Sequence, residues 1–239
     1  MAAVSASRSP RSGFLALGFA VAFLVLFLAP PFLPYRFAPY PLINWADIVD
    51  LATPLILIPL YWLLFTESQQ PLNTAWVVAF LVLAAAWVDG HGIHLAANAI
   101  GHLLKNQAGP ALDLTEFWDE RFGHYLWHGA VLGLSALILF RAVRVPQLQG
   151  GPTWTGPAAA AIYAFSLFLI GDEGGTAVLI VPFALVIAVA SWPLRKRLLG
   201  SPVLALFVLG YVLTLALFAI WFVYWGGRLP QFSDLGWIK

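Results

Sequence analysis

Stretches of about 20 apolar residues, separated by short polar or proline-rich joints, recur along this 239-residue chain and leave it few ways to fold. A helix of that length crosses roughly 30 Å of hydrocarbon. In lipid, an open strand or loop would leave backbone groups unsatisfied, so spans of this kind are helices. Seven can be read, at about residues 14–29, 48–65, 73–104, 117–143, 157–171, 176–192 and 202–225. Composition agrees, because 61% of the residues are hydrophobic and 10% are charged, too apolar a balance for a water-soluble domain. The expected fold is all-α: one integral-membrane helical domain over residues 1–239, multi-pass in a cell membrane. The first span is too long for a signal-peptide core and lacks a small-x-small cleavage site, so it is expected to be retained.

The basic residues suggest an orientation. An odd number of spans puts Arg8, Arg11, Arg141, Arg144, Arg195, Lys196 and Arg197 on one side, and Arg36, Lys105, Arg121, Arg228 and Lys239 on the other. The compact Arg195-Lys196-Arg197 group marks its side as cytoplasmic, which makes the chain N-in and C-out. A net charge of +1 and the lack of a long basic run give no footing for nucleic acid. The absence of cysteine excludes disulfides, thiolate metal sites and iron–sulfur clusters.

Against this apolar background all five histidines, His91, His94, His102, His124 and His128, fall between residues 89 and 128. Asp89, Asp113, Glu116, Asp119 and Glu120 lie in the same stretch. On a regular helix each residue turns about 100°, so His91, His94, Asn98 and His102 share an arc of about 80° on the third span. Glu120, His124 and His128 share a similar arc on the fourth. Asp89 points to the opposite side unless Gly90 and Gly92 unwind the helix. Sequential spans joined by a short loop are antiparallel neighbours, so the two histidine faces can meet, in the outer half of the bilayer. Ionisable groups at that depth are costly and mark function. His91, His94, His124 and His128 are the expected metal ligands, with Asn98 beside them, Glu120 as ligand or general base, and His102 structural. Asp172 and Glu173, in Gly171-Asp172-Glu173-Gly174-Gly175, reach the same outer level and are expected to complete the site. Trp87, Trp118, Trp127, Trp221 and Trp225 read as packing and interface anchors.

Imidazole with oxygen ligands suits a divalent metal, zinc or iron first. Three chemistries stay open: metal-assisted hydrolysis, a di-iron centre for oxidation, and haem ligated across the two helices. The substrate would be a lipid or another apolar small molecule drawn from the membrane. A non-enzymatic role, as a transporter or cofactor-binding subunit of a larger membrane complex, is the competing class.

His124-Tyr-Leu-Trp-His128 resembles the His-x-x-Trp-His signature of the CREST superfamily, the seven-span membrane metal hydrolases that include alkaline ceramidases and adiponectin-receptor-type proteins. The resemblance implies a zinc held by His124, His128 and one further histidine, acting on an amide or ester of a membrane lipid. In that family the motif lies in the last helix, whereas three spans follow it here. His91, His94 and Asn98 occur in place of the family's early Ser-x3-His pattern.

Overall fold

The computed structural model describes residues 11–40, 42–68, 70–104, 106–145 and 152–237. Arg8, Lys105 and Lys239, used above to weigh orientation, lie outside the described residues. Eight α-helices follow one another: α1 (Arg11–Leu28), α2 (Trp45–Thr66), α3 (Thr74–Leu104), α4 (Pro110–Glu116), α5 (His124–Arg144), α6 (Thr155–Glu173), α7 (Ala177–Ala190) and α8 (Pro202–Tyr224). A π-helical segment, Phe117–Gly123, joins α4 to α5. A 3₁₀ segment, Trp192–Gly200, follows α7.

Helix ends carry their own signals. α1 stops where Pro30 and Pro31 remove two backbone donors. At the start of α2 the Asn44 N–H donates to Asp47 Oδ2 at 2.7 Å, and at that of α3 the Trp76 N–H donates to Asn73 Oδ1 at 3.0 Å. Among the described residues six helices are long and apolar enough to cross a membrane, with Pro110–Arg144 acting as one 35-residue unit. α7 has only 14 residues, and with the 3₁₀ segment, bent away by 84°, it makes a possible seventh. Six to seven such helices are compatible with a multi-pass membrane protein. The sixth span expected over 176–192 is thus the shortest, closed by the bend at Ser191.

The contacts place residues at one of two ends. Phe19 and Phe23 of α1 meet Phe207 and Tyr163, while Phe27 stacks on Trp127 near the histidines. α6 and α8 run parallel: Gly156 faces Ala205, and Phe168 faces Phe218. α7 therefore carries the chain back between them. Arg141, Arg144 and the 3₁₀ segment lie at one end, where Arg197 Nη1 donates to the Val143 carbonyl. The histidines, Glu173 and the tail after α8 lie at the other.

Two buried polar clusters knit the bundle. Midway, the hydroxyls of Tyr61, Ser135, Tyr163 and Tyr211, from α2, α5, α6 and α8, lie 3.1–3.4 Å apart in a chain. At the basic end buried Arg141 donates to the Phe65 carbonyl (3.1 Å), Ser68 Oγ (2.6 Å) and the Gln70 carbonyl (2.6 Å). It thereby caps the last turn of α2 with a cation, the sign a helix C-terminus favours.

Candidate metal centre

Two glycines let the histidine-bearing backbones approach. A Cβ on Gly90 would lie 2.6 Å from the Trp127 nitrogen and 3.0 Å from the Gly123 carbonyl, and one on Gly123 would lie 3.1 Å from the His94 nitrogen. Small residues at a crossing allow close backbone packing without lipid between the helices. α3 stays helical through Gly90 and Gly92, so these glycines serve approach or exposure and do not unwind the chain.

The π-helix sets the phase of the second ligand helix. The His124 N–H reaches the Asp119 carbonyl, five residues back, and a π-turn stacks residue i near i+5. Asp119 thereby swings onto the histidine face, which a 3.6-residue helix would deny it. The result is a group able to hold a metal ion: His94, Asp119 and His124 each offer one ligand atom, all within 4.8 Å of one another. His94 Nδ1 and Asp119 Oδ1 are 2.5 Å apart, and the rings of His94 and His124 are 4.4 Å apart at 37°. Two donors on one zinc, each at about 2.1 Å, lie somewhat closer than 4.8 Å, so small side-chain rotations bring the three onto one ion. Asp119 has two ways to serve. It can ligate directly, or it can accept the His94 Nδ1–H and thereby orient Nε2 toward an ion.

His91 belongs to another interaction. Pro54 has no N–H to offer the Asp50 carbonyl four residues back, and His91 Nε2 donates to that carbonyl at 2.8 Å, with Asp50 Oδ1 at 3.3 Å. His91 thus repairs a break in α2 and stands outside the three-residue group. His128 Nδ1 is 2.5 Å from Thr176 Oγ1, and its buried Nε2 has no partner among the described residues. Exposed His102 and Asp89 stand apart from the group. Trp127, read from sequence as packing, is buried amid four histidines, with ring centroids 4.5–5.8 Å from those of His91, His94, His124 and His128.

The acidic pair at the end of α6 is split. Glu173 accepts the Ser233 N–H at 3.2 Å and lines the cavity beside the histidines. Asp172 is buried, and neither of its oxygens has a hydrogen-bond partner among the described residues; the neighbouring Trp221 indole N–H is bound to the Pro230 carbonyl. Gly174 presses on the imidazoles, since a Cβ there would lie 2.8 Å from His128 Cε1. Glu120 is exposed, with Oε2 3.5 Å from His124 Nδ1.

A cavity of about 680 Å³ opens over this cluster. Its polar end is formed by Asp50, His94, Asn98, Glu120, His124, His128 and Glu173. Its wall is aromatic and aliphatic, from Phe27 of α1, Phe165, Phe168 and Leu169 of α6, Trp221 of α8, and Phe232 and Trp237 of the tail. Thr176 and Asp119 are the residues sequence reasoning missed. The i, i+5 spacing of Asp119 to His124 is the one signal that pointed to the latter, and only a π-turn makes it count.

No family model, no curated protein and no solved structure matches this chain. Fold and site define a class by themselves: a protein all-helical among the described residues, with six to seven membrane-length apolar helices there and a His/Asp group able to hold a metal ion.

Proposed function

We propose that the chain is a seven-span membrane enzyme, N-terminus cytoplasmic and C-terminus outside, that hydrolyses an ester or amide of a lipid-like substrate. It does so with a divalent metal, zinc or iron, held by His94, Asp119 and His124. The observation that carries the reading is the cavity, which joins a wall of apolar side chains to a floor of histidines and carboxylates. Ligand sites of this form bury apolar groups and use a few convergent polar ones to orient them. The gathering of Arg141, Arg144, Arg195 and Arg197 at the opposite end supports the orientation. The CREST-like His124-Tyr-Leu-Trp-His128 motif is in keeping with hydrolysis.

A bound divalent ion supplies Lewis-acid polarisation of the substrate carbonyl. The chain's own residues do the rest. Phe27, Phe165, Phe168 and Trp221 hold the apolar part of the substrate and exclude water. The Asn98 amide orients its polar head. Glu120, beside His124 and open to solvent, takes the proton from the attacking water and returns it to the leaving group. Glu173, fixed by the Ser233 N–H, is the second carboxylate of the pocket. Haem sandwiched between the facing histidines is disfavoured, because rings 4.4 Å apart leave no room for a macrocycle.

The test is elemental analysis, a visible spectrum and an acyl ester and amide panel on purified protein. The expected result is about one zinc or iron per chain, no Soret band, and hydrolysis that a chelator abolishes. His94→Ala and His124→Ala should each remove most of the metal. Full metal occupancy in both variants would overturn the site, and metal without turnover would assign a cofactor-binding subunit instead.

A further inference from the structure

At the end of the bundle away from the histidines, an apolar groove of about 490 Å³ runs between α5 and α7. Gly133, Leu137 and Phe140 form one bank and Ile187, Ala190 and Leu194 the other. Its one hydroxyl, Ser191 Oγ, already donates to the Ile187 carbonyl at 2.6 Å, so the groove offers nothing polar along its length. Between residues 133 and 143 a helix rises about 15 Å, enough for much of an acyl chain.

The mouth has the opposite character. The 84° bend after α7 turns the 3₁₀ segment across it, and Arg195, Lys196 and Arg197 follow directly on Leu194. The Arg197 bond to the Val143 carbonyl brings this segment against the end of α5, next to Arg144. Trp192 and Leu199 are largely exposed on the same segment, 67% and 66%, as side chains resting in a membrane interface would be. Among the described residues none of the four cations has a carboxylate partner. Glu67, an acid at this end, is buried and faces Arg11.

An apolar trough ending under four cations that no carboxylate neutralises is complementary to one kind of molecule, an amphiphile with a single long tail region and a negative head, even though Arg144 and Arg195 rest on the Phe140 and Trp192 rings. We propose that this groove seats an anionic phospholipid, with an acyl chain between α5 and α7 and its phosphate among Arg144, Arg195, Lys196 and Arg197. The site is separate from the candidate metal centre and does not depend on it.

The experiment compares retention of phosphatidylglycerol and phosphatidylcholine by the purified full chain, read as bound lipid by native mass spectrometry. Each cation near a membrane surface strengthens anionic-lipid binding on the order of fivefold. Arg195→Gln/Lys196→Gln/Arg197→Gln should therefore lower phosphatidylglycerol retention at least tenfold and leave phosphatidylcholine unchanged. Ala190→Trp, which fills the groove and keeps every charge, should lower it comparably. On the unaltered protein, a phosphatidylglycerol with a photoreactive acyl chain should crosslink within residues 133–143 and 187–194. Equal retention of the two lipids, crosslinks elsewhere, a charge variant that matters beside a groove variant that does not, or a second copy of the chain in place of lipid would each overturn the proposal.

Discussion

Arg141 and His124 are both buried polar side chains on α5, about five helical turns apart, and they are treated in opposite ways. Arg141 donates three hydrogen bonds and completes the end of α2. Around His124 the bonding is incomplete: His128 Nε2, His91 Nδ1 and both Asp172 oxygens are buried without hydrogen-bond partners among the described residues, and His124 Nδ1 has only the carboxylate of exposed Glu120 at 3.5 Å. A protein satisfies the polar groups it buries for structure, and those left over call for a missing ion, water or substrate. The contrast teaches that burial alone does not mark a site. What separates these two side chains is whether their own donors and acceptors are met.

The sharpest way to break that contrast is to remove the guanidinium. Arg141→Met keeps much of the side-chain volume but leaves the Phe65 and Gln70 carbonyls without a donor. The orphaned carbonyl of buried Phe65 costs about 1–3 kcal/mol, while that of exposed Gln70 can turn to water, so the loss expected is about 2 kcal/mol of stability. Metal content should stay at the unaltered level, the reverse of His124→Ala. Chemical denaturation and elemental analysis of the two variants check the pair. If Arg141→Met also sheds metal, the ends are coupled and the comparison fails.

A smaller effect divides the roles open to Asp119. Asp119→Asn keeps an acceptor for the His94 Nδ1–H but loses the charge. If Asp119 orients His94, metal affinity should fall about 10–100-fold while binding remains measurable by titration. If it is itself a ligand, binding should fall further, to the level of His94→Ala. Unchanged affinity would remove Asp119 from the site.

Much of this was legible in the sequence, for reasons that particular residues make plain. Apolar length shows the helices, because lipid allows little else. The face shared by His94 and Asn98 follows from a regular α3. His91 shares that face too, yet its partner is set by Pro54 in another helix, and no periodicity within α3 reports a carbonyl orphaned elsewhere. Asp119 was hidden by the π-turn, which shifts phase by a residue where a 3.6-residue rule selects Glu120. Thr176 was missed because its contact with His128 spans 48 residues of sequence. Asp172 and Glu173 are adjacent, and adjacency on a helix sends neighbours to different sides: one lines the cavity and the other is buried away from it.

The smallest effect expected lies at the Arg141 end, where Ser12 and Glu67 are exceptions to an otherwise satisfied interior and Glu67 is the one that carries a charge. Its carboxyl is buried just past the end of α2, with Oε1 unpartnered among the described residues. Burial pushes its pKa above the ordinary 4.5, and the Arg11 charge opposes part of that rise. A carboxyl that titrates higher in the folded state than in the unfolded chain binds protons more readily when folded. Its contribution to stability is therefore fully present below pH 4.5 and is lost as pH rises through the raised value. Glu67→Gln holds the neutral form at every pH. The melting temperature of the unaltered protein, minus that of Glu67→Gln, should decline as pH increases from 4.5 and then level off. Histidine titrations at the other end cancel in this difference, since both proteins carry them. A flat difference would mean that Arg11 neutralises Glu67 fully and that the carboxyl is no exception to the comparison.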